Sequence, residues 1–316
     1  MEWPKVSVLL ALYEPRQDWL REQLESLVAQ DYAGELEVLV YNDAPWSRDC
    51  EAWLPEMLGD IRCQVYTAEQ NGGSTAAFAF LTERADGEVL AYCDQDDVWL
   101  PDKLTRGVAA MREHKVSLCF GDAIVMAADG RIICSSLQRY RPRQWVPPIE
   151  RMQRELYLRN FVQGAAMLVD AAVAKAALPF PAGFVHDHWL ALAAVRTNGI
   201  FFMQQPVMRY RLHGDNQSGV LSGICNRQDY YEQRVCRDAA RLECIRQRWG
   251  NSCELAAAMD WMQLRKQYLS HPEGGTFFAL LGSLGRFRWQ VTLFELFLPC
   301  LPGAWGKWVL HRMQRK

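Results

Sequence analysis

The chain has 316 residues, half of them hydrophobic, so it can bury one large core or two modest ones, and extensive disorder is excluded. Its formal net charge of −2 gives no overall basic field, which argues against nucleic acid as a partner. The ten cysteines include no Cys-x-x-Cys pair, which argues against a structural zinc module and against a compact disulfide framework. We therefore expect reduced thiols, a cytoplasmic location and no secretory signal peptide.

The first 120 residues alternate short apolar runs with helical patterns, the β-α-β rhythm of a mostly parallel sheet. The predicted strands are residues 6–12, 36–41, 63–67, 89–93 and 116–120. The predicted helices between them are residues 18–29, 48–58, 74–84 and 102–115. Because ligands bind at the carboxyl ends of strands in such sheets, the polar residues that follow the second and fourth strands are candidates for a site.

A run of acidic residues follows the fourth predicted strand, where Asp94, Asp96 and Asp97 surround Gln95. Carboxylates this close repel one another by several kcal/mol at low dielectric, unless a cation or protonation offsets the repulsion. Hard oxygen ligands of this kind favour Mg²⁺ or Mn²⁺. The alternative is a solvated turn whose aspartates cap the next helix.

Two further polar segments belong to the same predicted edge of the sheet. Asp43 follows the second strand, and Asn71-Gly72-Gly73-Ser74 precedes a helix, where backbone N–H groups can approach a phosphate or a sugar. The alternative for the glycine pair is a simple turn. No Gly-x-Gly-x-x-Gly or Walker sequence occurs, which disfavours hydride transfer and P-loop chemistry.

The middle of the chain no longer alternates short strands with helices in the same regular way. Residues 139–148 are predicted to form a basic, proline-stiffened loop, and residues 149–160 a helix. His186-Asp187-His188-Trp189 then opens another predicted helix, and two predicted strands, residues 200–204 and 207–212, lead to His213. A zinc site formed by His186, His188 and His213 is a conceivable but less favoured alternative to an acid-centred site.

The last third of the chain is predicted to be helical from about residue 226 to 270 and then changes composition. Residues 276–316 combine aromatic and basic side chains, and Glu295 is their only acid. Their longest apolar stretch, residues 291–301, is shorter than the roughly 20 residues that a membrane-spanning helix needs. We expect helices that lie in an anionic membrane surface, or alternatively a helical hairpin that packs on the rest of the chain or on another subunit.

Six motifs of the chain resemble those of glycosyltransferase family 2, in the same order, and most closely its bacterial rhamnosyltransferase-like branch. Between residues 4 and 220 these motifs are Val6-Ser7-Val8-Leu9-Leu10 with Tyr13, Asp43, Asn71-Gly72-Gly73, Asp94-Gln95-Asp96-Asp97-Val98-Trp99, His186-Asp187-His188-Trp189, and Tyr210-Arg211-Leu212-His213-Gly214-Asp215-Asn216. The resemblance implies an A-type glycosyltransferase fold, a nucleotide-sugar donor, a divalent cation, and inversion at the anomeric carbon.

The resemblance also implies a role for each matching residue. Asp187 is the general base. Asp94, Asp96 and His213 hold the Mn²⁺ or Mg²⁺ ion. The donor nucleotide is contacted by Tyr13, Asp43, Asn71, Gly72, Asp94 and Gln95. Residues on the acceptor side, or supporting the site, are Asp97, Trp99, His186, His188, Trp189 and Arg211.

Two segments depart from the family pattern. Asn42-Asp43-Ala44-Pro45 stands where the family usually has Asp-Asp-Gly-Ser, and Tyr13-Glu14-Pro15 replaces the common Tyr-Asn. Both segments belong to the expected nucleotide site, so the base contacts are expected to be shifted and the identity of the nucleotide is left open.

Together these features predict an α/β protein whose Rossmann-like, mostly parallel sheet is flanked by helices and followed by a helical extension. The predicted domains are residues 1–220 for catalysis, with a nucleotide-sugar half (1–120) and an acceptor half (121–220), then helical residues 221–275 and a membrane-associating tail, 276–316. An oligomer of identical chains is compatible with the sequence.

The predicted activity is transfer of L-rhamnose from dTDP-L-rhamnose, or of another sugar from a UDP-sugar, to a lipid-linked or lipopolysaccharide glycan. The predicted place is the cytoplasmic face of the inner membrane, during bacterial surface-polysaccharide assembly. Two rival hypotheses are a sugar nucleotidyltransferase and a non-catalytic nucleotide-sugar-binding scaffold. The first rival needs a glycine-rich, lysine-containing N-terminal loop, which the sequence lacks.

Overall fold

A computed structural model of the protein describes residues 2–142, 145–214 and 224–301, and its α/β architecture is the predicted one. The chain divides into two units, Met1–Gly214 and Asp215–Lys316. The finer boundaries proposed for the catalytic halves and for the C-terminal tail stay predictions. Asp215 and Asn216 of the last predicted motif, and residues 302–316 of the predicted tail, lie outside the described residues.

The first unit is built on one nine-stranded sheet with the order β3-β2-β1-β4-β8-β6-β9-β5, and β7 pairs with β6. The strands are β1 (Val6–Leu12), β2 (Leu36–Asn42), β3 (Arg62–Thr67), β4 (Val89–Asp94), β5 (Val98–Trp99), β6 (Leu118–Ala127), β7 (Ile132–Cys134), β8 (Met167–Asp170) and β9 (Ile200–Leu212). Strands β1 to β4 are parallel to one another, as expected. The other half is mixed, because β8 runs antiparallel to both of its neighbours while β6 and β9 are parallel.

The first unit contains eight α-helices in its described residues. They are α1 (Gln17–Val28), α2 (Leu54–Leu58), α3 (Ser74–Arg84), α4 (Lys103–His114), α5 (Leu137–Tyr140), α6 (Met152–Leu158), α7 (Ala171–Ala176) and α8 (His186–Val195). The helix predicted over residues 48–58 is shorter than expected, because Pro55 lies in the first turn of α2 and suits a helix start better than a helix interior. The loop predicted over 139–148 begins later than expected, since α5 extends to Tyr140.

Two predictions for the second half of the sheet are corrected by pairing. The strand predicted to end at residue 120 continues to Ala127, because residues 121–127 pair with β9. The two strands predicted over 200–204 and 207–212 form the single strand β9, and the register shifts beside Pro206, where the sequence had indicated a break. Pairing with a distant strand therefore extends elements that look short in the local sequence.

Apolar side chains from both faces of the parallel strands form the core of the first unit. Val8 and Leu10 of β1 and Leu20 and Leu24 of α1 are at most 1% exposed. Burial of one such side chain stabilises a fold by about 1.5–3 kcal/mol. The helices that connect the strands thereby fix the carboxyl ends of β1, β2 and β4 along one edge, since Leu12 pairs with Asn42 and Ala11 with Asp94.

The second unit is helical throughout its described residues, as the sequence predicted for residues 226–270. Its helices are α9 (Arg227–Tyr230), α10 (Arg237–Trp249), α11 (Cys253–Ser270), α12 (Gly274–Gly282) and α13 (Trp289–Phe297), with a π-helical turn at Tyr231–Cys236. Ser252 caps α11 by accepting a hydrogen bond from the backbone N–H of Leu255. None of the helices in the described ranges is both long enough and apolar enough to cross a membrane.

Candidate active site

The acidic residues lie in a turn between β4 and β5, at the carboxyl edge of the sheet. Asp94 is the last residue of β4, and Asp96 and Asp97 lie in the tight turn that follows. Asp97 is buried, whereas Asp94 and Asp96 are partly exposed. We call residues 94–97 the acid turn. Its position is the one predicted for a ligand site in an open parallel sheet.

Arg211 of β9 fixes the acid turn through hydrogen bonds to Asp96 and Asp97. Its backbone N–H donates to Oδ1 of Asp97 (3.0 Å), and its Nε donates to the carbonyl oxygen of Asp96 (2.8 Å). Its Nη2 donates to Glu22 at 2.5 Å, and the whole residue is only 1% exposed. Of the two roles predicted for Arg211, acceptor contact or support, this burial favours support.

His213 reaches the acid turn from the end of β9. Its Nε2 lies 2.5 Å from Oδ2 of Asp96, and its ring lies 5.0 Å from that of Trp19. Asp96 and His213 thus meet as the sequence predicted, although they are 117 residues apart in the chain.

The carboxyl groups of the acid turn are poorly compensated. Burial and the charges of Asp96 and Asp187 raise the pKa of Asp94 to about 7. Burial, together with the charges of Asp96 and Asp94, also raises the pKa of Asp97 well above its usual range. Oδ2 of Asp97 is buried and has no hydrogen-bond partner among the residues that the structure describes. A cation bound here would offset this excess of negative charge.

The donor set fits a divalent cation that shares its coordination with a substrate. Within the described ranges, no group of three His, Cys, Asp or Glu side chains is arranged to hold a metal ion by itself. Mg²⁺ is usually held by one or two carboxylates together with substrate phosphates and water, which does not require a complete protein cage. Asp94 and Asp96 supply the carboxylate oxygens that Mg²⁺ and Mn²⁺ prefer, and the His213 imidazole is a nitrogen donor that Mn²⁺ accepts more readily than Mg²⁺ does.

Asp43 organises the glycine loop that precedes α3. Its two carboxylate oxygens accept hydrogen bonds from the backbone N–H groups of Gly72 (2.8 Å) and Gly73 (2.7 Å). Gly73 has a φ of +80°, a conformation that glycine adopts without strain. Asn71 reaches the carbonyl oxygen of Asp43 at 3.5 Å. Asp43, Asn71 and Gly72 therefore come together, and both carboxylate oxygens of Asp43 are already hydrogen-bonded within the loop.

Tyr13 and Gln95 form a second contact at this edge. The Gln95 side chain accepts from the backbone N–H of Tyr13 (2.7 Å) and donates to its carbonyl oxygen (3.0 Å), which joins β1 to the acid turn. The Tyr13 ring is 47% exposed and packs edge-on against Trp46, which is 61% exposed. Sequence reasoning missed Trp46, although an exposed tryptophan three residues after Asp43 offers a flat face for a base.

Asp187 lies in the first turn of α8 and is partly exposed. Burial raises its pKa to about 6, against hydrogen bonds from the His188 backbone, the Asn160 side chain and the Gly164 backbone, which lower it. A carboxyl with a pKa near 6 is ionised at neutral pH and is still basic enough to accept a proton in a reaction. Its charge also raises the pKa of Asp94, which links it electrostatically to the acid turn.

The histidines beside Asp187 are buried and do not form the zinc site considered from the sequence. His186 packs on Phe78 and Tyr92, with ring centroids 4.1 and 5.1 Å away, and burial lowers its pKa to about 3. Nε2 of His188 lies 2.7 Å from the carbonyl oxygen of Leu156. Packing accounts for the His186 ring, whose buried Nε2 has no hydrogen-bond partner among the described residues, and a backbone contact accounts for the His188 ring.

Two predicted tryptophans belong to the core. Trp189 is 1% exposed and its indole N–H donates to the carbonyl oxygen of Ala177 (2.9 Å), while Trp99 is 2% exposed. The backbone N–H of Trp99 donates to Ser26 (3.0 Å). The sequence predicted that both tryptophans either contact the acceptor or support the site, and their burial favours the supporting role.

Besides Trp46, the sequence did not identify Lys103, Asn160 and Gly164, which also lie near the site. Lys103 is fully buried at the start of α4. Its spacing from Gly107 and Ala110 places it on the buried face of that helix, and this pattern was available in the sequence. Asn160 and Gly164 carry no such signal, because their relation to Asp187 depends on how distant segments pack.

Comparison with known proteins places these observations in a family. Residues 7–174 match the sequence profile of glycosyl transferase family 2. An N-acetylglucosaminyltransferase of Mesorhizobium japonicum is 31% identical over 130 residues, which are 41% of this chain and 30% of the relative. The putative teichuronic acid biosynthesis glycosyltransferase TuaG of Bacillus subtilis is 29% identical over 127 residues, 40% of this chain and 50% of the relative.

Solved structures show the same fold. The structure of Staphylococcus aureus TarS 1-349 in complex with UDP-GlcNAc has a TM-score of 0.58 and 18% identity, covering 94% of this chain and 82% of that one. The mannosyltransferase PcManGT from Pyrobaculum calidifontis, in complex with GDP-Man and Mn²⁺, has a TM-score of 0.56 and 16% identity, covering 99% and 84%.

The matched segments span 30%, 64% and 36% of three curated relatives from Mesorhizobium japonicum, Rickettsia typhi and Rickettsia felis. The family profile nevertheless covers more than half of the chain and includes β1 to β4, the glycine loop and the acid turn. The predicted fold and family are thereby confirmed: the chain belongs to glycosyl transferase family 2.

Proposed function

We propose that the protein transfers a sugar from a nucleotide-sugar donor to an acceptor hydroxyl, with inversion at the anomeric carbon. The observation that carries this proposal is that Asp187 lies near enough to the acid turn for its charge to raise the pKa of Asp94, since the neighbouring His186 packs on Tyr92 of β4. One carboxyl is suited to accept a proton, and the others are suited to a cation and a diphosphate. Membership of the family supports the same activity.

Each group has a defined part in the proposed reaction. Asp187 takes the proton of the acceptor hydroxyl as its oxygen bonds to the anomeric carbon. The bond between that carbon and the phosphate oxygen breaks, and the nucleoside diphosphate leaves with the electron pair. Asp94, Asp96 and His213 hold the divalent cation, which when bound neutralises the charge that grows on the diphosphate. The exposed faces of Tyr13 and Trp46 hold the nucleotide beside the glycine loop, whose shape is fixed by the bonds from Gly72 and Gly73 to Asp43.

For the donor we propose dTDP-L-rhamnose, on the resemblance of the motifs to the rhamnosyltransferase-like branch. A UDP-sugar is the second candidate, since the Mesorhizobium japonicum relative is named an N-acetylglucosaminyltransferase and TarS was solved with UDP-GlcNAc. Attack on β-linked dTDP-L-rhamnose gives an α-rhamnoside. The proposed acceptor is a lipid-linked or lipopolysaccharide glycan; among the relatives, TuaG is named a putative teichuronic acid biosynthesis glycosyltransferase.

We also propose that the C-terminal unit binds an anionic membrane surface, which places the enzyme at the cytoplasmic face of the inner membrane. Phe278, Trp289 and Phe297 are more than half exposed. Glu295, the one acid after residue 273, is fully buried, so the described surface of residues 274–301 has the cations Arg286 and Arg288 and no acidic side chain. Exposed aromatic and basic groups together suit the lipid headgroup region.

The proposed donor site is tested by thermal melting with dTDP, UDP, GDP and CMP, each with Mn²⁺ and again with EDTA. A ligand at 100 times its dissociation constant stabilises the fold by about 2.7 kcal/mol, which is about 4 °C for a chain of this size. We expect a Mn²⁺-dependent shift with dTDP or with UDP, and its loss in Asp96→Asn. The exposed variant Asp60→Asn is the control. No shift with any nucleotide would contradict the proposed donor site, and nucleoside triphosphate cleavage would favour a nucleotidyltransferase.

The proposed membrane surface is tested by sedimentation with vesicles of phosphatidylglycerol and of phosphatidylcholine. We expect binding to the anionic vesicles only, and its loss when Phe278 and Trp289 are both changed to Gln. Ile149→Gln is the matched control, because Ile149 is a 63% exposed apolar residue of the first unit. Equal sedimentation of the double variant and the control would contradict the proposal and favour packing against protein.

A further inference from the structure

A lysine, Lys103, lies fully buried and is bonded to the segment that supports Asp187; burial lowers its pKa to about 7, against the charges of Asp97 and Asp94, which raise it. Lys103 is 0% exposed, and its Nζ donates to the carbonyl oxygen of Ala165 at 2.5 Å. The same nitrogen lies 3.2 Å from the centroid of the Trp99 ring. Burial of an ammonium group is costly unless it is well compensated, so the place of this lysine requires an explanation.

The carbonyl that Lys103 holds belongs to a turn in contact with Asp187. Ala165 is the middle residue of the 3₁₀ turn Gly164–Ala166. The close fit is clear at Gly164, where a Cβ would lie 2.9 Å from Nε2 of His186 and 3.3 Å from Cβ of Asp187. The backbone of Gly164 also hydrogen-bonds Asp187 and lowers the pKa of its carboxyl. A shift of this turn would therefore change the surroundings of Asp187 directly.

We propose that Lys103 is a positioning residue for Asp187, which acts by fixing the turn Gly164–Ala166 against the start of α8. The proposal rests on the proposed function only in the role given to Asp187. It assigns Lys103 no contact with substrate.

A purely structural role explains Lys103 less well. A methionine has nearly the same length, packs well in a core and brings no desolvation cost, and buried charges are often replaced by apolar residues with no loss of stability. What methionine lacks is the directional bond to Ala165, together with the positive charge that lowers the pKa of Asp94 and Asp97. A directional bond matters where the separation of two segments must be exact, and catalytic groups tolerate little misplacement.

The test compares Lys103→Met with Lys175→Met. Lys175 is the control for loss of a lysine bond to a backbone carbonyl, because its Nζ donates to the carbonyl oxygen of Ala85 at 2.6 Å; unlike Lys103, it is exposed. The pKa of Asp187 is followed by NMR of protein with ¹³C-labelled aspartate, and Asp187→Asn identifies its signal. This measurement needs no donor or acceptor, so it is independent of whether the proposed transfer reaction is correct.

We expect Lys103→Met to raise the pKa of Asp187 by about one unit, the equivalent of one hydrogen bond to a charged group, and Lys175→Met to leave it unchanged. With donor present, we expect turnover to fall about tenfold in Lys103→Met while the KM for the donor stays constant. Equal pKa values in the two variants would overturn the proposal. Lys103→Gln is a second variant with the same expected shift, and failure of both Lys103 variants to fold would assign the residue to the fold alone.

Discussion

Buried charge is compensated in the C-terminal unit and left in excess at the candidate active site. Glu295 is fully buried and accepts hydrogen bonds from Nε of Arg265 (2.7 Å) and from the hydroxyl of Tyr230 (2.7 Å). Although burial alone would lower the pKa of Arg265, the charge of Glu295 raises it above its usual value. In the first unit, by contrast, burial raises the pKa of Asp94 to about 7, and Oδ2 of Asp97 has no partner in the described part of the chain.

This difference separates a structural cluster from a functional one. A buried pair whose hydrogen bonds are all made holds helices together and changes little with conditions. A group of buried carboxyls with too little positive charge beside it costs stability, and such groups are concentrated at sites that bind a ligand or transfer a proton. Mutation of the buried Arg265–Glu295 pair should therefore lower stability, whereas mutation of a carboxyl at the candidate active site should lower turnover.

The largest effect is expected for Asp187→Asn, which removes one of the uncompensated carboxyls. Loss of a general base lowers turnover by about 10² to 10⁴, whereas the melting temperature should stay constant or rise. Donor turnover and thermal melting measure the two quantities, with the exposed variant Asp60→Asn as control. Unchanged turnover in Asp187→Asn would exclude this residue as the base.

Glu295→Gln should have the opposite effect. It leaves the charge of Arg265 buried without a counter-charge, which typically costs about 3–5 kcal/mol of stability. Urea unfolding of the helical unit within the full chain measures this loss. The matched control is Glu243→Gln, since Glu243 forms an exposed pair with Arg246 on α10, and no measurable loss is expected there. Equal stability of the two variants would show that the buried pair is not structural.

The smallest expected effect is a pH dependence of turnover, which should arise from Asp187 and not from the Arg265–Glu295 pair. Asp187 acts as a base only when it is ionised, and its pKa is about 6, so turnover should fall about tenfold per pH unit below that value. His186 stays neutral over this range, because burial lowers its pKa to about 3. A pH profile at saturating donor and Mn²⁺ measures the midpoint. The decline should be absent from the residual turnover of Asp187→Asn, and its persistence there would assign the midpoint to another group.

The sequence was most informative where structure is local. The runs that became β1 to β4 and the helical patterns between them identified the parallel half of the sheet. Because the ends of parallel strands lie along one edge, the sequence also indicated that Asp43 and Asp94 would be near one another. The run of acids in residues 94–97 indicated a cation or a proton without any knowledge of the fold.

The sequence was least informative where pairing joins distant segments. β6 extends to Ala127 and β9 is continuous across Pro206 because the two strands pair with each other, and neither sequence shows this by itself. The order of β8 between β4 and β6 likewise follows from packing rather than from any local pattern.

The same distinction holds within the site. Residue types and their local spacing determined which side chains have the chemistry: the carboxyls of the acid turn, His213 and Asp187. Only the tertiary structure decided that Arg211 would hold the acid turn from 114 residues away and that Lys103 would bind Ala165 from 62 residues away. Local spacing can be read from the sequence, whereas a contact between distant segments forms only when the core brings those segments together. The free energy of such a contact then depends on the groups that surround it.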